Sequence, residues 1–349
     1  MTELVPIVSV NDFAGLARVT GPLHLAIGVF DGVHRGHQAV IERVVAAAAR
    51  EGGVAGLVTF DPHPIQVIAP AKAPAKLLAT LGHKQRIVRA FGVRLFAPLR
   101  FDQGMASLTA EGFLKQLALG EVRTIAVGED WRFGHDRKGD VALLSAMSRE
   151  LGYRLEAVAP FMHEGDRISS TRIRQAIGDG NLNAAAAMLG RAYSVSGEVV
   201  RGDQLGRQLG FPTANVDVAG QQLPPDGVWL VEAHQSGGEL IRGVANLGVR
   251  PSVGCGERRL EVHLLDFSGD LYGRELTVRF LGFLRDERRF ETLGDLQQAI
   301  RADQAAAGGR LANDLGLEPL RLDTAEDGQT IAFHARPDIG HTHHGCRIE

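Results

Sequence analysis

Residues 23–50 read LHLAIGVFDGVHRGHQAVIERVVAAAAR, and this stretch decides the fold. Its start, LHLAIGVF (23–30), has the continuous apolar character of a buried strand. Its end, HQAVIERVVAAAAR (37–50), places Val40, Ile41, Val44, Val45 and Ala48 on one helical face. Between them lies a glycine-rich turn whose polar side chains are Asp31, His34, Arg35 and His37. The unit is therefore strand, turn, helix, and the pattern repeats outward. VAGLVTF (54–60) is strand-like, residues 81–92 are helix-like, and 93–101 are again strand-like. Thr109 is positioned to cap a helix that carries Glu111 in its first turn, where the helix dipole favours an acid. TIAVG (124–128), a helix over 140–151 and the strand YRLEAVAP (153–160) complete the alternation. Such alternation predicts a parallel sheet covered on both faces. Ligands of these sheets bind at the carboxyl ends of the strands. The polar clusters after the strands, FDGVHRGH, FDPHP (60–64) and GEDWRFG (128–134), fall there.

The pattern changes near residue 190. A short helix over 181–190 ends at Gly190. Beyond it come short alternating runs separated by Gly, Pro, Asp and Ser, with no helices between them. They predict an antiparallel sheet or small barrel, closed by one helix at about 292–312. The expected boundary lies near 186–192, giving domains 1–187 and 188–316 and a mobile tail over 317–349. That tail contains His341, His343, His344 and Cys346, metal-ligand types without a packed context.

Bulk properties narrow the class. The 349 residues suffice for two domains, and 44% apolar with 23% charged residues fits a soluble globular protein. A net charge of −3 argues against a general polyanion binder, so no nucleic-acid partner is expected. Two cysteines and no secretion signal or membrane-length apolar run fit a cytoplasmic enzyme. Oligomeric state is not readable.

Two sites carry chemistry. In HRGH, a strand-to-helix turn points free N–H groups and the positive helix end at an anion, and Gly36 admits close backbone approach. His34 and His37 can donate to phosphate oxygens, which is what nucleotidyl transfer requires. Two ordinary loop histidines are the competing reading. In ISSTRIR (168–174), hydroxyls at a helix start backed by guanidinium suit ATP phosphates; a plain N-cap is the alternative. In GDQLGRQLGFPTANV (202–216), Gly202, Gly206 and Gly210 keep the loop compliant. Thr213 and Asn215 point the same way on an extended chain and offer hard oxygen ligands to Mg2+; a Pro-led turn is the alternative.

GVFDGVHRGH, FDPHP, GEDWRFG and ISSTRIR, in this order, resemble the FMN adenylyltransferase module of prokaryotic bifunctional FAD synthetases. The loop 202–216, GVANLGVRPS (243–252), LEVHLLDFSGDLYG (260–273) and FLRDERRF (283–290) resemble the riboflavin kinase domain. The resemblance implies a Rossmann-like HxGH nucleotidyltransferase domain followed by an antiparallel β-barrel kinase domain. It implies that Gly28, Phe30, Asp31, His34, Gly36, His37, Ser170, Thr171 and Arg174 handle ATP. Asp61, Pro62, His63 and Asp130 would line the flavin side, with Asp61 equally suited to holding its loop. Trp131 stands where Phe is usual and reads as wall packing. In the second domain Gly202, Gly206 and Gly210 would contact ATP, Thr213 and Asn215 would hold the metal, and Glu261 would be the general base. An exposed strand acid is the other reading of Glu261. Arg285 and Glu287 would close the flavin pocket or form a surface ion pair. The expected activities are phosphorylation of riboflavin to FMN and adenylylation of FMN to FAD, with ATP and Mg2+. The alternatives are one surviving activity or a non-catalytic flavin or nucleotide binder.

Overall fold

The computed structural model describes residues 7–74, 76–202, 206, 210–235, 238–249, 258–288, 290 and 292–309. The expected tail and its His/Cys cluster lie outside them. The first half is a six-stranded parallel sheet: β1 (Val8–Ser9), β2 (Leu23–Ile27), β3 (Val54–Asp61), β4 (Leu95–Arg100), β5 (Val122–Gly128) and β6 (Arg154–Val158). Spatial order is β1-β4-β3-β2-β5-β6. Side chains alternate across β2. Leu23, Leu25 and Ile27 join a core with Phe113, Leu114 and Leu117, whereas Ala26 meets Val40, Ile41 and Val44 on the opposite face. Helices therefore cover both faces, as the continuous apolar strands demand. Thr109 caps the helix Ala110–Leu117, accepting from the Gly112 N–H at 3.0 Å. The strand order reverses direction between β2 and β5, so the crevice beyond their carboxyl ends is the expected ligand site.

The second half is a closed six-stranded barrel. Its strands are β9 (Ser194–Val200), β10 (Ala214–Val216), β11 (Gly227–Gln235), β12 (Ile241–Val249), β13 (Arg258–Leu264) and β14 (Glu275–Arg285). All pair antiparallel in the order β10-β13-β12-β11-β14-β9, and closure leaves no exposed edge. Trp229, Phe280, Leu260 and Val262 fill the interior. The closing helix spans Leu293–Gly309. The smaller strands β7 (Met162–His163) and β8 (Asp166–Arg167) form a hairpin between the two halves, a feature without a sequence-based expectation.

Packing does not break at residue 187. Ile173 and Ile177 of the helix Ser170–Gly178, and Ala185 and Leu189 of the helix Leu182–Leu189, share one core with the barrel. The expected boundary is a change of secondary structure across continuous packing. Polar contacts add to it: Arg86 pairs with Glu275 and donates to Ser196 Oγ at 2.7 Å. Leu77 exchanges backbone hydrogen bonds of 2.8 Å with Gly220 and Gln222.

Tyr193 fastens this seam. Its buried hydroxyl donates to the Gln222 carbonyl at 2.6 Å. Burial pushes its pKa well above the ordinary tyrosine value, so it stays a donor at any working pH. Tyr193→Phe leaves that acceptor unpaired, at a cost of about 1–3 kcal/mol. A lower denaturation midpoint in urea is expected; an unchanged midpoint would show that the seam does not depend on this bond.

Candidate active sites

The first site begins with a backbone that only tight packing can hold. Phe30, Gly32 and Val33 adopt φ of 51°, 77° and 44°, the left-handed region. For Phe and Val this costs about 1–3 kcal/mol each. A Cβ at Gly32 would also approach the Leu78 side chain to 2.7 Å. The turn delivers the chain into the helix Arg35–Glu51, for which His34 is the N-cap: its Nδ1 accepts from the His37 N–H at 3.3 Å. That acceptor role assigns the proton of neutral His34 to Nε2. The two rings stack with centroids 3.6 Å apart. His37 Nδ1 is buried without a partner, which leaves Nε2 as the nitrogen open to the cavity. Burial, then the Arg167 and Arg191 charges, lowers the His34 pKa to about 4; burial, then His34 and nearby cations, holds His37 well below the usual value. Both imidazoles are neutral at working pH.

The histidines line a cavity of about 960 Å³ at the switch point of the sheet. Its lining divides by chemistry. Phe60, Phe101, Phe113, Trp131 and Phe133 form an aromatic wall, in which Trp131 stacks on Phe133 at 4.4 Å. The expectation for Trp131 thus holds. Gly28, His34, Gly36, His37 and Ser170 form the polar side, with Phe30 beside them, and His63 and Asp130 also line the cavity. Asp130 pairs with Arg167 of β8, a residue the sequence reading passed over although it stands three positions before Ser170. Asp61 and Pro62 sit at the end of β3, outside the lining. The Asp61 carbonyl accepts from the Phe101 N–H at 2.9 Å, which is a loop-holding contact.

The second motif is more engaged than expected. Ser169 is the N-cap of its helix, accepting from the Arg172 N–H at 3.3 Å. Ser170 Oγ donates to the Asp31 carbonyl at 3.0 Å. Asp31 is buried, pairs with Arg174 and accepts from the Leu78 N–H at 3.0 Å. Arg174 also donates to the Lys76 carbonyl at 2.9 Å. Asp31 and Arg174 are thus brought together, but as a mutual pair that joins the loop to the helix Ser170–Gly178. Thr171 and Arg174 line a neighbouring cavity of about 640 Å³, which shares His63 and Ser170 with the first.

The second site lies on the outside of the barrel. Cross-strand register places Asn215 of β10 beside Glu261 of β13, and Glu261 beside Asn246 of β12. The flanking residues Ala214, Val216, Leu260, Val262, Ala245 and Leu247 are buried, so these three polar side chains share the outer face. Asn246 Nδ2 donates to Glu287 at 3.1 Å. Arg285 pairs with Asp303 of the closing helix at 2.8 Å and 3.0 Å, not with Glu287. The Gly202 backbone abuts the Asn215 amide so closely that a Cβ there would lie 2.4 Å from it. Gly206 accepts from the Phe211 N–H at 2.8 Å, and Gly210 has φ 87°. His263, two residues past Glu261, donates from one ring nitrogen to the Pro212 carbonyl at 2.8 Å and meets Gln304 at 2.8 Å through the other. It ties the Thr213 segment to the closing helix.

A Rossmann-like sheet with an HxGH turn, followed by a closed barrel with a carboxylate between two amides, defines a two-domain nucleotide-dependent transferase. The FAD synthetase family model matches residues 17–172 and the riboflavin kinase model residues 189–311. The bifunctional riboflavin kinase/FMN adenylyltransferase of Escherichia coli K12 is 42% identical over 81% of this chain and 91% of its own. That of Pseudomonas fluorescens is 43% identical over 80% and 90%. A crystal structure described as a macrolide-efflux protein from Streptococcus pneumoniae superposes with TM-score 0.74 at 29% identity, covering 87% of this chain and 99% of that one. Among the described residues no helix is long and apolar enough to cross a membrane. The chain belongs to the bifunctional riboflavin kinase/FMN adenylyltransferase family. It phosphorylates riboflavin to FMN and adenylylates FMN to FAD.

The buried neutral histidines make stability depend on pH. His34, His37 and His83 all have lowered folded-state pKa values, chiefly through burial. Between about pH 6.5 and 4 the unfolded chain therefore binds more protons, and stability falls as pH falls. His34→Asn should flatten the slope of unfolding free energy against pH by about 1.4 kcal/mol per pH unit in that window. An unchanged slope would mean that His34 is not held neutral by the fold.

Proposed function

We propose that the cavity at the switch point is the adenylyl-transfer site and the outer face of β10, β13 and β12 the kinase site. One observation carries the first assignment: two neutral imidazoles at a helix start open into the same cavity as five aromatic rings. The aromatic wall takes the isoalloxazine ring of FMN. The triphosphate of ATP lies against the polar side. An FMN phosphate oxygen attacks the α-phosphorus, a new P–O bond forms, and the bond to pyrophosphate breaks. The attacking oxygen is already anionic and needs no base. The barrier is charge on the α-phosphoryl oxygens, and His34 Nε2–H, His37 and the free N–H groups of the helix start are pre-oriented to receive it. Ser170 and Thr171 extend this donor set, and Arg167 adds charge from β8. Arg174 acts through Asp31, holding the loop against the helix.

At the second site Glu261 is the general base for the ribityl 5′-hydroxyl. A carboxylate so placed contributes about 10²–10⁴ in rate. Thr213 and Asn215 supply hydroxyl and amide oxygens, the hard donors that suit Mg2+. The close Gly202 backbone fixes the Asn215 amide beside Glu261. Mg2+ held by the Thr213 and Asn215 oxygens would supply positive charge to offset that of the ATP phosphates. Gly202, Gly206 and Gly210 leave backbone N–H groups accessible to those phosphates. Glu287, through Asn246, borders the same row. Arg285, through Asp303, secures the helix that covers it.

Glu261→Gln should abolish FMN formation from riboflavin, while FMN supplied directly is still converted to FAD. His37→Ala should do the reverse. Product resolution over time with ATP and Mg2+ reads both. Parallel loss of both activities in either variant would contradict the assignment of separate sites.

A further inference from the structure

The mechanism leaves unused a fully embedded cation at the domain junction. Arg191 is buried, and among the described residues no carboxylate pairs with it. Its guanidinium donates to three carbonyls: Gly32 at 2.6 Å, Val33 at 3.0 Å and Leu189 at 3.2 Å. Gln38, on the helix that His34 caps, donates to two of the same oxygens, Val33 at 2.8 Å and Leu189 at 2.7 Å. A second embedded cation, Lys84, donates to the Val29 carbonyl at 2.8 Å and to Thr59 Oγ at 3.3 Å. The carbonyls of residues 29, 32 and 33 are thus all held from beneath by donors outside the motif. Holding the carbonyls inward keeps the left-handed turn in place, and with it the start of the helix capped by His34.

Arg191 belongs to the kinase side of the chain. It falls within the segment matched by the riboflavin kinase family, beyond the segment matched by FAD synthetase. Its successors are fixed in the barrel: Ala192 packs against Leu230 and Leu281, and the Tyr193 carbonyl accepts from the Phe280 N–H at 3.0 Å. Gly190, with φ 70°, ends the preceding helix and turns the chain so that Arg191 faces the loop. Burying a guanidinium against carbonyls alone is unfavourable unless its geometry is used, and its planar fork reaches two adjacent carbonyls at once.

We propose that Arg191 is a positioning residue for adenylyl transfer, contributed by the kinase module to the other module's phosphate-binding turn. It sets the orientation of His34 and His37 without touching substrate. The proposal rests on assigning the His34–His37 turn to ATP. That assignment fails separately, if His37→Ala still forms FAD.

The test uses the full chain with Arg191→Lys and Arg191→Met, and measures both activities on each preparation. Lys keeps the charge but offers a point donor in place of the fork; Met removes both. FMN adenylylation should lose about tenfold or more in kcat in the Met variant, with a smaller loss in Lys and little change in the KM for ATP. Riboflavin phosphorylation should stay within about twofold, which shows that the barrel is folded. The proposal is overturned if the Met variant adenylylates FMN at the parent rate. It is equally overturned if, in the Lys variant, both activities decline together, because Arg191 would then serve only general folding.

Discussion

Three backbone carbonyls, those of Val29, Gly32 and Val33, face inward at the end of the central strand β2, and buried carbonyls must find donors. Lys84, Arg191 and Gln38 supply them. Everything at the first site follows from that arrangement. With the carbonyls held inward, Phe30 and Val33 can remain in left-handed conformations that isolated peptides avoid. The chain then enters its helix with His34 as cap, and the two imidazoles stack in the lining of the cavity. In the proposed mechanism the turn accomplishes with neutral imidazoles and backbone N–H groups what a lysine does in other phosphate loops. The cations that brace it are buried under the loop rather than extended into the ligand.

The barrel solves a different problem. Its interior is filled by apolar side chains, and the polar side chains of the proposed kinase site stand outside, on the alternate positions of β10, β13 and β12. Register places a carboxylate between two amides there. The strands fix that spacing, and the closing helix, tied through Asp303 and Gln304, covers it. In the proposed assignment the two reactions occupy two kinds of surface: the carboxyl ends of parallel strands in one case and the flank of a closed barrel in the other. The shared core across residues 168–193 makes the pair one packed body.

Much of this was legible in the sequence because it is local. The alternation of periods placed the sheet and the barrel, Thr109 and Gly190 marked helix ends, and the HRGH and PTAN segments carry the proposed site residues within a few positions. What was not legible is long-range pairing. Arg191 lies 159 residues from Gly32, and no pattern within either segment signals their contact. Lys84, Arg167, Asn246 and His263 were missed for the same reason: each acts through a partner distant in sequence. Arg174 and Asp31 each read as a ligand for phosphate until their mutual pair is seen. Arg285 met Asp303 of the closing helix instead of nearby Glu287, a choice made by packing. Asp61 and Pro62 belong to a motif whose lining members are Phe60, His63 and Pro64; the other two shape the strand end.

The central claim is that His34 and His37 meet the nucleotide as neutral donors presented by a braced turn. The most direct measurement is 15N NMR of the histidine side chains in the free protein across pH. His34 is expected to remain the neutral Nε2–H tautomer from pH 8 down to about 5, because its pKa is lowered to about 4. A His34 resonance that titrates to imidazolium near the ordinary value of about 6.5 would contradict it.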